Sequence, residues 1–173
     1  AFYRDKRLAV VGGGNSALQE ALFLTRYATH IDLLVRSTVK ASDVLQRELD
    51  KFIESGQITL RLNTTTDEIL ATDGRVSSVQ VTTDGEKKQL EVNGVFVFVG
   101  LLPNTQFLAN TAIELDEVGL IKTDQHLMTS IEGVFASGDV RSGATMQIAS
   151  AVGEGASAAL AIREYLEELE RKA

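Results

Sequence analysis

The chain of 173 residues contains no cysteine, and that absence alone closes off several kinds of chemistry. Without thiols these residues hold no disulfide framework, no thiol nucleophile and no thiolate metal site. No apolar run reaches membrane-spanning length, and the opening residues are not expected to form a secretory leader. Basic charge is outnumbered: 17 Lys and Arg against 24 Asp and Glu leave a net charge of −7. That balance argues against nucleic acid or an anionic membrane as partner, while leaving room for one local basic site. Proline occurs once, at Pro103, and there is no internal repeat or low-complexity tract. The chain opens on Ala-Phe-Tyr without Met, almost directly on a strand, so it is expected to be a cut rather than a natural start. What remains is 44% hydrophobic, enough for a substantial core in a domain of ordinary size with a cytoplasmic location as the default.

Strand and helix patterns alternate through the first sixty residues. "RLAVVG" (7–12) is a short continuous apolar run, the mark of a strand buried on both faces. Ala17, Leu18, Ala21, Leu22, Thr25 and Ala28 follow at helical spacing. "IDLLV" (31–35) reads as a second buried strand. Ser42 and Asp43 open a helix with Leu45, Leu49, Phe52 and Ile53 on one face and Gly56 as its stop. "ITLRL" (58–62) is a third strand, which completes βαβαβ, half of a doubly wound nucleotide-binding fold.

From residue 66 the period changes to two. Asp73-Gly74 and Asp84-Gly85 are hairpin-turn dipeptides, and Val79, Val81 and Thr83 alternate between them. The pattern predicts a three-stranded antiparallel meander in place of a crossover helix, then a buried strand at "GVFVFVG" (94–100). A boundary is expected near Pro103. Beyond it lie strand candidates at 119–123 and 133–137 and a long helix from about 146. In that helix Ile148, Val152, Ala156, Ala159, Leu166 and Leu169 form the expected apolar stripe, and Glu167 and Arg171 stand at ion-pair spacing.

Gly12, Gly14 and Ala17 form G-x-G-x-x-A between a strand and a helix. Gly12 suits a sharp turn, Gly14 removes a Cβ from the path of a pyrophosphate, and Ala17 lets the helix lie close to the strand. The free N–H groups of the helix start would then face the phosphates. The competing reading is a plain strand–helix turn, with Asn15 and Ser16 as helix caps. An NAD site usually carries an acid at the end of the second strand. Here Arg36 and Lys40 stand in its place, a pair suited to the 2′-phosphate of NADP(H) if they are not ordinary solvated loop cations.

Three stretches in order resemble the flavin-dependent thioredoxin reductases of the low-molecular-weight, bacterial type. They are "GGGNSALQEALFLTRYAT", "FVFVGLLPNT" and "GVFASGDVRSGATMQIASAVGEGASAA", and the likeness covers essentially the whole chain. The resemblance implies a Rossmann-like FAD/NAD(P)-binding α/β fold. It implies an NADPH-binding domain over 1–101 and the incomplete C-terminal segment of an FAD-binding domain over 102–173. Gly12, Gly14, Asn15, Ser16 and Ala17 would then surround the NADPH pyrophosphate, and Arg36 and Lys40 would hold the 2′-phosphate. Asp139 would accept a hydrogen bond from the FAD ribityl chain, and Gln147 and Ile148 would set helix-start N–H groups against the isoalloxazine edge. On the residues alone, Asp139 could instead cap its own turn and Gln147 could be one polar residue of a first helical turn.

The implied activity is hydride transfer from NADPH to FAD and on to a dithiol/disulfide, with a thioredoxin-like protein as partner and a role in redox homeostasis. Homodimerisation is a family expectation. Departures matter as well. The basic cluster that family members carry after the second strand is reduced here to Arg36 and Lys40, and Asn15 stands where Asp is usual. The family's redox C-x-x-C pair would lie upstream of Ala1, as would the glycine fingerprint for the FAD adenosine half, so no catalytic residue is assigned within the chain. Two alternatives stay open: a ferredoxin/flavodoxin-NADP reductase of the same architecture, and a non-catalytic dinucleotide-binding module. On this reading the apolar stripe of the last helix should pack against the NADPH-binding half or a second copy of the chain, or else be partly disordered.

Overall fold

Strands that alternate with helices and read as continuous apolar runs are driven into a parallel sheet, because only covered faces can hide both sides of such strands. The computed structural model describes residues 2–172 and divides into two compact units, Ala1–Gly100 and Leu101–Ala173. The first unit contains β1 (Arg7–Val11), α1 (Asn15–Leu24), β2 (His30–Leu34), α2 (Asp43–Glu54) and β3 (Ile58–Arg61). The meander β4 (Thr64–Thr72), β5 (Arg75–Thr83) and β6 (Glu86–Glu91) follows, and β7 (Gly94–Val97) closes the unit. The parallel sheet has the order β3-β2-β1-β7, and the meander forms a separate antiparallel sheet β4-β5-β6.

Alternation along the strands assigns each face its cover. Leu8 and Val10 of β1 and Ile31 and Leu33 of β2 join a core with Leu18, Ala21 and Leu49 from the two helices. Ala9 and Leu34 face the other way, onto Val79 and Val81 of the meander and Val92 just beyond it. The meander therefore does the covering work that a crossover helix does elsewhere in doubly wound folds. Both of its turns place Asp and Gly at positive φ (Asp73 51°, Gly74 73°; Asp84 49°, Gly85 86°). These are the two left-handed positions of a type I′ turn, whose twist matches the flanking strands.

The second unit contains single-turn 3₁₀ segments at Gln106–Leu108 and Gly138–Val140 and the long α3 (Ile148–Lys172). A small core of Leu108, Ile121 and Ala136 holds its loops together. Several expectations are corrected here. The stretch 94–100 is strand only as far as Val97. The candidates at 119–123 and 133–137 contribute isolated bridges, Ile121 with Leu115 and Arg141, and Phe135 with Met128. A strand needs a neighbour along its length, and these segments share one residue each. Helix α3 starts at Ile148, because Met146 at φ 56° cannot be helical.

The apolar stripe of α3 does not face inward. Ile148 (87%), Val152 (69%) and Leu166 (52%) are exposed, and the face turned to the unit runs through Ala151, Glu154, Ala158 and Tyr165. Small residues there allow close approach: a Cβ built on Gly138 would lie 3.5 Å from that of Ala151. Tyr165 packs edge-on to Phe135 and against Gly133. Near the end of the helix, Glu167 pairs with Arg163 rather than Arg171, whose Nε donates to the Glu167 carbonyl.

Candidate functional site

Chain reversal at the end of β1 builds the site. Gly12 takes φ 140°, and a Cβ there would lie 2.3 Å from the Phe98 carbonyl oxygen and 2.9 Å from Ala17 Cβ. Only glycine fits. Ala17 is fully buried and acts through that contact, letting α1 approach β1 closely. Gly13 is not at positive φ, but a Cβ on it would meet Val35 Cγ1 at 2.7 Å and the Thr38 carbonyl oxygen at 3.2 Å. Gly14 differs from both. It has extended backbone (φ −92°, ψ −179°), and a Cβ there would meet nothing within 4 Å. No packing or dihedral demand inside the chain accounts for glycine at 14, so the open space in front of it is the feature to explain.

Gly14 itself is the N-cap of α1, and no side chain caps it. Asn15 and Ser16 are therefore the first helical residues, which corrects their reading as caps. The first intrahelical bond runs from Leu18 N–H to the Gly14 carbonyl (3.2 Å). The N–H groups of Asn15, Ser16 and Ala17 precede it and belong to the unpaired set that gives a helix start its affinity for anions. The Asn15 side chain is engaged elsewhere: its Oδ1 accepts from Ser42 N–H at 2.8 Å.

A cavity of about 690 Å³ opens at this turn, over the C-terminal ends of β1, β2 and β7. Gly12, Gly14, Arg36 and Lys40 all line it, so two motifs more than twenty residues apart in sequence share one site. Arg36 and Lys40 are its only charged lining residues among those described, and both are exposed. The acid of β2, Asp32, is fully buried, with Arg61 Nε on its Oδ1 at 2.8 Å. It cannot serve a ribose, and the cavity is electropositive within a chain of net charge −7. Thr64, Thr65 and Thr66 also line the cavity and were missed by sequence reasoning. They arrive because Thr64 N–H donates to the Val35 carbonyl (3.0 Å), a register that nothing in the local pattern announces.

In the second unit the residues expected on the flavin side sit at one end of α3. Gln147 provides the first acceptor of the helix, to Ala151 N–H at 2.9 Å, and Ile148 follows it, both exposed. Asp139 lies exposed in the Gly138–Val140 turn. Glu154 fastens that turn to the helix: its Oε2 accepts from Gly138 N–H (2.9 Å) and Arg141 Nε (3.0 Å), and its Oε1 pairs with the Arg141 terminal nitrogen. The Arg141 bonds, reinforced by Gly138 N–H, hold the Glu154 carboxyl below its ordinary pKa and raise that of Arg141. Asp116 is lowered in the same way, first by the Ser142 hydroxyl (2.7 Å) and then by the Leu120 N–H. The Glu154–Arg141 pair was also missed, since its partners are thirteen residues apart in no repeating pattern.

A parallel sheet with a glycine turn and a helix start at its carboxyl edge is the architecture of dinucleotide-binding folds, and the chain belongs to the pyridine nucleotide-disulphide oxidoreductase family, whose model matches residues 3–155. Individual relatives match nearly the whole of the chain. The chain is 38% identical over 172 residues to thioredoxin reductase of Listeria innocua and 35% identical over 173 residues to that of Bacillus subtilis, in each case over 98% of its own length. The crystal structure of Lactococcus lactis thioredoxin reductase superposes with a TM-score of 0.76 at 35% identity, over 97% of this chain and 55% of that one. The chain spans about half the length of these relatives, 53% and 54% of the two bacterial sequences.

Proposed function

We propose that this chain is the NADPH-binding domain (1–101) together with the C-terminal segment of the FAD-binding domain (102–173) of a thioredoxin-reductase-type flavoenzyme. The observation that carries the reading is the cavity in which Gly14, the open N-cap of α1, and the two cations Arg36 and Lys40 converge without an acid. A pyrophosphate fits the space before Gly14, held by the unpaired N–H groups of α1. Arg36 and Lys40 then meet a 2′-phosphate, a contact NADH cannot make.

Bound FAD would supply two-electron transfer between NADPH and a disulfide, in the net sense NADPH + H⁺ + disulfide to NADP⁺ + dithiol, with a thioredoxin-like protein as the partner reduced. The chain's own share of that chemistry is binding and orientation. Asp139 offers an acceptor to a ribityl hydroxyl, and the start of α3 at Gln147 and Ile148 offers N–H donors and the positive end of a helix dipole to the flavin's carbonyl edge. Glu154 and Arg141 keep those two elements in register.

Calorimetric titration of the chain with NADPH and NADH tests the coenzyme assignment. NADPH is expected to bind more tightly, and the double variant Arg36→Ala/Lys40→Ala to lose that advantage. Each well-formed charged contact to phosphate is worth about 1.5–3 kcal/mol, so the loss should be tenfold or more, in NADPH alone. Equal affinity of the wild-type chain for both coenzymes would sink the assignment.

A further inference from the structure

We propose that Asn15 and Gly13 are positioning residues for coenzyme selectivity: they seat the 36–42 segment on the glycine turn and so fix where Arg36 and Lys40 stand. The inference rests on the reading of the cavity as an NADPH site. Two hydrogen bonds hold the segment down. Lys40 N–H donates to the Gly13 carbonyl at 2.7 Å, and Ser42 N–H donates to Asn15 Oδ1 at 2.8 Å. The third constraint is steric, since a Cβ on Gly13 would press on Val35 and on the Thr38 carbonyl oxygen. The segment lies this close only because Gly13 has no side chain.

The consequence is a fixed ruler between two anion subsites. The pyrophosphate is cradled at Gly12–Gly14, and the cations are held at a set distance from it by the same turn. Arg36 and Lys40 carry long exposed side chains, and ordering them on a loose loop would consume much of what a phosphate contact returns. Both coenzymes share the pyrophosphate, but only NADPH reaches the cations. Loosening the strap therefore weakens NADPH and leaves NADH nearly unchanged, whereas general damage to the domain weakens both alike.

Two variants cut the strap from opposite sides. Asn15→Ala removes the acceptor. Ser42→Pro removes the donor, at a residue outside the cavity lining whose φ of −60° already suits proline. Affinities of the wild-type chain and both variants are measured for NADPH and NADH by calorimetry. Each variant is expected to lose NADPH affinity by roughly three- to tenfold, the span of one net hydrogen bond, and Ser42→Pro, at a residue outside the binding machinery, to change NADH less than about twofold. The double variant should be no worse than either single one, because both remove the same bond. A wild-type chain without preference for NADPH overturns the cavity reading and this proposal with it. A wild-type preference that both variants leave unchanged, whether or not overall affinity falls, overturns the positioning role alone.

Discussion

Three adjacent glycines answer to three different demands, and substitution should separate them. At Gly12 a Cβ collides with the backbone of Phe98, so Gly12→Ala is expected to destabilise the first unit by about 1–3 kcal/mol. Gly14 has free space in front of it, so Gly14→Val should leave the melting curve and circular dichroism close to wild type while abolishing NADPH binding. Thermal melts and titrations on the two variants check both statements. A Gly14→Val chain that still binds NADPH would show that the pyrophosphate does not occupy the space in front of Gly14. The spacing G-x-G-x-x-A was legible in the sequence, and so was the missing acid after β2. Which glycine faces protein and which faces open space was not, because Phe98, Val35 and Thr38 reach the turn from the segments that follow β7 and β2.

Among the elements, α3 shows how a helix can be foreseen and its orientation missed. Its apolar stripe follows helical spacing, yet the inward face is the one bearing Ala151, Glu154, Ala158 and Tyr165. A half-buried carboxylate on that face ties the helix to the Gly138–Val140 turn, and its protonation should be felt in stability. Glu154 and Asp116 both have folded pKa values below their unfolded ones. Their contribution is therefore full above the ordinary carboxylate range, near pH 4, and is lost as pH falls through the depressed folded values. Urea unfolding of the chain is expected to show stability declining below about pH 4. Glu154→Gln should lower stability at neutral pH and flatten that decline. An unaltered pH profile in the variant would remove Glu154 from the account.

At the scale of the molecule, the exposed row Ile148, Val152, Leu166 and Leu169 is a surface that water does not favour. The chain is expected to self-associate with rising concentration, and Val152→Gln/Leu166→Gln to shift it toward monomer. Light scattering across a concentration series reads this directly, and a strictly monomeric wild-type chain would contradict it. On the proposed reading the chain offers FAD Asp139, Gln147 and Ile148, few contacts against several kcal/mol of lost motional freedom. Purified material should be colourless, and a flavin absorption band that bleaches with NADPH would refute that expectation.

The sequence by itself determined the alternation of strands and helices, the Asp-Gly hairpins of the meander, the glycine fingerprint and the cationic end of the second strand. Each of these is carried by periods of two or 3.6 or by residues with special backbone preferences, so neighbours in the chain suffice to specify them. Only the tertiary structure decided that Thr64–Thr66 line the cavity, that Asn15 holds Ser42 rather than capping its helix, that Asp32 is spent on Arg61, and that Glu154 clamps Gly138 and Arg141. It also decided which face of α3 turns inward. Those are contacts between residues thirteen or more apart, in no repeating pattern. Packing density and the pairing of buried polar groups select them, and neither quantity exists until the chain has folded.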